Sequence, residues 1–247
     1  MIASLSMYDR PETSAANDRL WQAVRTRLGY GPERLNRDGD LWRHWLGPDL
    51  VLSQTCGFPY RARLHGKVTL VGTPDYGLDG CPPGHYRSVF VARADDPRHD
   101  LREFAKVRFA YNEALSQSGW AAAQTHAAAL GFAFGNVHPS GGHRSSARMV
   151  ARGQADIASL DALTWEMLRR YDGFAMGLRI IAQTDPTPAL PYITALGRDG
   201  GEILAAVTAA VSDLSARDRD TLHLRGIVSI PAETYLAVPT PPPPPET

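Results

Sequence analysis

A basic excess is missing. Twenty-six Lys and Arg are balanced by 26 Asp and Glu over 247 residues. A general nucleic-acid binder carries a positive surplus or a basic stripe, so no nucleic-acid partner is expected. Cysteine is scarce, with only Cys56 and Cys81. Two cannot build a disulfide scaffold or a metal cluster; one bridge or two thiols remain, and thiols are favoured. No stretch approaches the roughly 20 apolar residues of a membrane span, so membrane insertion is not expected. Catalytic and nucleotide signatures are absent too: no G-x-G-x-x-G, no G-x-x-x-x-G-K-[ST], no H-E-x-x-H and no G-x-S-x-G. The eight histidines are scattered without metal-ligand spacing. No metal, cofactor or catalytic residue is assigned on these grounds.

What is present suits a chain that buries a core. Hydrophobic residues make up 43%. The length fits one large domain or two lobes of roughly 100 to 150 residues. Short apolar runs alternate with helical patterns from end to end. Strands are expected over residues 2–7, 49–54, 67–72, 85–93, 107–111, 156–161, 178–183 and 192–196. Helices are expected from Asn17 or Asp18 to Leu28, then over 40–46, 112–131 (loop plus helix), 142–153, 164–170 and 201–214. This is an α/β pattern with mostly parallel sheets. The pattern resets at Ala94-Asp95-Asp96-Pro97, and Pro186, Pro188 and Pro191 punctuate it again. The tail PTPPPPPET, low in complexity, favours an extended polyproline conformation and is expected to be frayed; a docking segment is the alternative.

In open α/β sheets ligands sit beyond the C-terminal ends of strands. Polar clusters fall at such places: Ser53-Gln54-Thr55, Asn112 to Gly119, and Asp161. Ser116-Gln117-Ser118-Gly119 opens an alanine-rich helix. Its hydroxyls, free N–H groups and glycine suit either an ordinary cap or an anion. Ser140 to Ser146 starts a second helix, where His143 has the same two readings. Asp161 ends a buried strand, so its carboxylate needs a partner: the next helix, or a cationic ligand group. Tyr60 and Tyr86 suit a pocket wall or a core with one wet end.

Taken together, SQTCGFPY (53–60), GHYRSVFVAR (84–93), NEALSQSGW (112–120), SGGHRSSARMVARGQADIASLDALTWEML (140–168) and TPALPYIT (187–194) resemble the PhnD-like substrate-binding proteins of phosphate, phosphite and phosphonate ABC transporters. The resemblance spans nearly the whole chain. It implies a type II periplasmic-binding-protein fold: two α/β lobes with mixed, mostly parallel sheets and a ligand cleft between them. Lobe 1 would comprise 1–92 and 187–247, with 239–247 disordered, and lobe 2 would be 93–186.

The resemblance also implies roles. Ser116, Gln117, Ser118 and Gly119 would grip the anionic head, although Gln117 stands where the family run is richer in hydroxyls. His143 matches the ligand-binding histidine and Tyr86 the aromatic of the first lobe. Gln54 and Tyr60 lie where further contacts are expected, and Asp161 matches the acidic position that receives a ligand amine. The expected function is non-enzymatic binding of a small anion for transport or sensing, by a monomer, with a permease as possible partner. The alternative is an enzyme on the same scaffold, with Cys56, His143 or Asp161 as players. A third reading is an interaction module that docks through its proline tail. The N-terminal MIASLSMYDRPETSAAND lacks a basic segment followed by a long apolar one. A cytoplasmic location is therefore expected, the periplasm being the alternative if an export signal had been removed.

Overall fold

The computed structural model describes residues 1–245; the last two positions of the tail, 246 and 247, lie outside the described residues. In chain order the strands are β1 (Ile2–Ser4), β2 (Leu50–Gln54), β3 (Val68–Asp75), β4 (His85–Tyr86), β5 (Ser88–Arg93), β6 (Phe109–Tyr111) and β7 (Val137–Pro139). There follow β8 (Ile157–Asp161), β9 (Leu178–Gln183), β10 (Thr187–Pro188), β11 (Tyr192–Ala195) and β12 (Gly226–Val228). The helices are α1 (Ser14–Leu28), α2 (Leu41–Leu46), α3 (Gly57–Pro59), α4 (Ala122–Ala129), α5 (His143–Ala151), α6 (Ala162–Tyr171), α7 (Gly200–Asp213), α8 (Ala216–Leu222) and α9 (Ala232–Leu236).

The chain divides into two compact units: 1–85 with 188–237, and 86–187 with 238–247. The first crossing falls at His85/Tyr86, earlier than the expected boundary after Ala92. The reason is β5, which pairs on one side with β8 and on the other with β9 and so belongs wholly to the second unit.

Unit 1 is a five-stranded sheet in the order β1-β2-β11-β3-β12. β1 and β2 run parallel, whereas β11 is antiparallel to both β2 and β3, and β12 is antiparallel to β3. The expectation of mostly parallel sheets is corrected here. The returning strand β11 inserts between β2 and β3 in reverse, a long-range pairing that leaves no mark in local sequence. Helix α1 starts at Ser14, ahead of the expected Asn17 or Asp18, and Asn17 instead donates its amide to Asp9 Oδ1 at 2.9 Å. Gly29 ends it in the left-handed region at φ 73°, where a side chain costs energy that glycine avoids. Trp45, Leu50, Tyr60, Leu64, Val68, Ile193, Ala195 and Tyr235 form a core on one face. The Tyr235 hydroxyl is buried but paired, 2.6 Å from Thr73 Oγ1 and 3.0 Å from the Ala189 carbonyl. That pairing lets α9 close the core without an orphaned polar atom.

Unit 2 is a second five-stranded sheet, β7-β6-β8-β5-β9. β6 is parallel to both β7 and β8, and β5 is antiparallel to β8 and β9. Helix α5 carries Ala147 and Val150 onto this sheet, and α6 brings Trp165 and Leu168. An ion-pair cluster ties β9 to the loop that follows β5. Arg98 holds Asp96 with Nε at 2.8 Å and Nη2 at 2.6 Å, while its guanidinium lies 4.3 Å from the Phe104 ring centre. Arg179 donates to the backbone carbonyls of Asp96 and Arg98.

Hydrogen bonds from Arg98, against the opposing effect of burial, hold the Asp96 carboxyl at about 2 instead of 3.8. A native pKa below the unfolded value stabilises the fold above pH 3.8, and that contribution is lost as pH falls from 3.8 towards 2. Asp96→Asn is expected to cost about 1–3 kcal/mol at neutral pH. Urea unfolding at pH 7 and pH 3 checks it: the gap between variant and parent should shrink on the acid side.

Candidate functional site

Because β6, β7 and β8 are mutually parallel, their C-terminal ends emerge at one edge of the unit 2 sheet. The residues after β6 form the turn Gln117–Ala121 that leads into α4. Those after β7 lead to His143, the first residue of α5. β8 ends in Asp161 itself. The antiparallel β5 starts at this same edge, with Ser88 opposite Asp161 in register, and Tyr86 lies two residues before it. The sheet order thus gathers Ser116 to Gly119, His143 and Asp161 from three separate stretches of sequence, while Tyr86 belongs to β4, which pairs with β10 in a separate two-stranded sheet.

The local chemistry is closely knit. Ser116 caps the turn, its Oγ accepting the Gly119 N–H at 2.9 Å. Gln117 and Ser118 are buried in the same turn. Ser118 Oγ lies 2.9 Å from His143 Nε2, and Asp161 Oδ2 lies 3.5 Å from that same nitrogen. Asp161 also caps α6, accepting from the Thr164 N–H at 2.8 Å. The capping reading of Asp161 is thus observed, and its second oxygen faces His143. Tyr86 is buried.

Burial lowers the pKa of His143 from its ordinary 6.5, against the opposing pull of the Asp161 charge and the Ser159 backbone. The imidazole is neutral at pH 7. It can donate from one nitrogen and accept at the other.

The trio Ser118–His143–Asp161 invites comparison with a catalytic triad, but its connectivity is wrong for one. In a triad the acid orients one ring nitrogen and the other takes the serine proton. Here serine and aspartate meet the same nitrogen, and His143 Nδ1 is buried with no hydrogen-bond partner. The ring cannot relay a proton between them. What the arrangement offers is a set of donors beside one carboxylate.

Two contributors, Ser159 and Thr184, escaped the sequence reading, and a third, Asn112, stood in it only as the first residue of the cluster Asn112 to Gly119. Ser159, in β8, donates its hydroxyl to the Ser118 carbonyl at 2.7 Å and so ties the turn to the sheet. Asn112 follows β6, and its buried Oδ1 has no hydrogen-bond partner. That oxygen occupies the space beside Gly119 where a side chain would otherwise stand. Thr184 Oγ1 accepts the Ser88 N–H at 3.0 Å and holds the start of β5. Only Asn112 had a usable signal, as a polar residue directly after a strand; the other two act through long-range contacts.

Gln54 and Tyr60 belong to unit 1. Gln54 ends β2, and its amide donates to the Tyr76 hydroxyl at 2.8 Å and the Leu190 carbonyl at 3.0 Å. It lines a small cavity of about 20 Å³ with Tyr8, Asn17, Tyr76 and Tyr192. Tyr60 packs edge-on to Tyr235, with ring centres 5.4 Å apart, inside the unit 1 core. Cys56 and Cys81 are thiols, and among the described residues no group of three His, Cys, Asp or Glu could hold a metal ion.

The fold has well-characterised counterparts. PhnD1 of Prochlorococcus marinus, solved with methylphosphonate, matches with a TM-score of 0.75 at 14% identity, over 95% of this chain and 94% of that one. A binding-protein component of an ABC phosphonate transporter from Pseudomonas aeruginosa matches with a TM-score of 0.72 at 15% identity, over 95% and 82%. A protein from Xanthomonas citri, solved with ATP, matches with a TM-score of 0.67 at 16% identity, over 90% of each chain. At such identities the likeness establishes the fold, two α/β lobes with mixed sheets of the type II periplasmic-binding-protein class. No curated protein matches in sequence.

The family described as "ABC transporter, phosphonate, periplasmic substrate-binding protein" matches residues 50–232. This overturns the expectation of a cytoplasmic protein, which leaned on the N-terminal residues and the scarce, reduced cysteines: the family is periplasmic. With the match spanning most of its length, the chain belongs to the phosphonate periplasmic substrate-binding proteins of ABC transporters, a family that binds small anions and does not transform them.

Proposed function

We propose that the turn Ser116–Gly119, with His143 and Asp161, holds the head group of a phosphonate, phosphite or phosphate. The observation that carries this is the convergence of Ser118 Oγ, His143 Nε2 and Asp161 Oδ2 at one edge of three parallel strands. The first N–H groups of a helix have no partner within it, and they favour an anion. Those of α5 and of the turn before α4 enter beside these side chains.

The single carboxylate narrows the ligand. Asp161 is buried and would repel an oxyanion that has no proton to donate. A monoprotonated phosphonate, phosphite or phosphate supplies an O–H to Asp161 while its other oxygens accept from the donors. Sulfate supplies none at neutral pH. A ligand amine would satisfy Asp161 in the same way. Tyr86, at the same edge, would flank the group attached to phosphorus. Delivery of the ligand by a monomer to the permease of an ABC transporter is the role that family membership supports.

Thermal unfolding with methylphosphonate, phosphite, phosphate, aminoethylphosphonate and sulfate at equal concentrations tests this. A ligand at 100 times its dissociation constant stabilises the native state by about 2.7 kcal/mol. At least one phosphorus oxyanion should raise the unfolding midpoint and sulfate should not. A sulfate response equal to the best phosphorus ligand would remove Asp161 from the account, and no response to any of them would reject the site.

A further inference from the structure

We infer that the proline segment after Ala237 is a strap that positions the anion-binding turn through Trp120. This rests on the turn's role proposed above. Residues 238–247 group with unit 2 although they follow the last helix of unit 1. Their exposure repeats every third position: Val238, Pro241 and Pro244 are half-buried, while the residues between them up to Pro245 are exposed. Three residues per turn is the period of a polyproline II helix, so one edge of the ribbon lies against the protein. Such a helix makes no internal hydrogen bonds, which leaves its carbonyls open to outside donors.

One of them is taken. The indole Nε1 of Trp120 donates to the Pro242 carbonyl at 3.0 Å. Trp120 is only 2% exposed, and its ring centre lies 5.0 Å from that of Tyr111, the last residue of β6. Its backbone N–H closes the turn onto the Ser116 carbonyl at 3.3 Å. It follows Gly119 directly. The indole is thus fixed by a ring neighbour and by the strap, while its backbone belongs to the turn that carries Ser118. A tryptophan held at both ends restricts where Gly119 and Ser118 stand. Without the strap, the indole N–H loses its partner in a buried place, and the turn gains freedom that a ligand must then remove. Trp120 and Pro242 are therefore positioning residues and do not themselves touch the ligand.

The test uses methylphosphonate titrated calorimetrically into the full chain, a chain ending at Ala237, the Trp120→Phe variant and the combination. Truncation and Trp120→Phe should each weaken binding about ten-fold, the scale of one lost buried hydrogen bond. The combination should be no weaker than either. A peptide of sequence VPTPPPPP added in trans should restore the truncated chain and leave Trp120→Phe unrestored. Equal affinity in the truncated and full chains, or a fall in unfolding temperature with affinity unchanged, would overturn the strap while the anion site stands. Failure of the full chain to bind any phosphorus oxyanion would overturn the functional reading and the strap with it.

Discussion

Gly119→Ala is expected to weaken methylphosphonate binding strongly while leaving the protein folded. The position is not demanding in backbone conformation; its constraint is space. A Cβ there would strike Asn112 Oδ1 well inside contact distance and would sit 3.2 Å from His143 Cε1. The Asn112 backbone directly follows β6, and His143 is fixed by Ser118 and by its place at the start of α5. The Asn112 oxygen, which has no hydrogen-bond partner, must turn aside, and His143 cannot withdraw without moving a donor of the site. The added methyl should cost about 1–3 kcal/mol of stability, the usual range for overpacking. Binding should fall by about 100-fold or more, because two groups of the site are displaced together. Circular dichroism and calorimetry on the same sample separate the two effects. A variant that binds as the parent does would show that the space around Gly119 is irrelevant to the ligand.

The second large effect is expected at His143. His143→Ala removes the group that both Ser118 and Asp161 contact, and leaves the Asp161 carboxylate buried without it. A lost hydrogen bond to a charged ligand is worth about 1.5–3 kcal/mol, or roughly 10- to 150-fold in affinity. The pH dependence separates His143 from its neighbours. Its folded pKa lies below the ordinary 6.5 because of burial. The unfolded chain therefore binds the proton more readily, so the stabilisation is full above pH 6.5 and is lost as pH falls through the depressed folded value. A bound anion favours the protonated ring and should offset that loss. His143→Gln keeps a donor but cannot titrate. It should retain part of the binding and remove this acid-side loss of stability. Equal acid sensitivity in the parent and in His143→Gln would place the titrating group elsewhere.

Much of the proposed site is legible in the sequence because its signals are local. A buried strand followed by small hydroxyl residues and a glycine marks the turn after β6. A polar residue at the end of an apolar run marks Asp161, and the glycine-rich start of a helix marks His143. What local sequence cannot convey is which strands run side by side. The parallel pairing of β6 with both β7 and β8 turns three separate helix starts into one cluster. The same limit explains the antiparallel insertion of β11 and the brief strands β7 and β12, whose three residues carry too little periodicity to detect. Gln54 and Tyr60 show the complementary limit. Both have the residue types of a pocket wall; both are buried in unit 1, the amide of Gln54 paired with Tyr76 and Leu190 beside a small cavity, and Tyr60 packed on Tyr235. Burial and pairing are properties of neighbours that lie far away in sequence. The proline tail was expected to be frayed, yet Trp120, more than 100 positions earlier, donates to Pro242.

An anion held by the Ser116–Gly119 turn and the start of α5 would perturb the amides of both. Amide ¹H–¹⁵N spectra of the labelled protein, titrated with methylphosphonate, address it most directly. The largest shifts should fall on the amides of Ser118, Gly119, His143, Arg144 and Ser145, together with the side chain of His143. Saturable shifts that leave those resonances unmoved and fall on another part of the chain would contradict an anion held there.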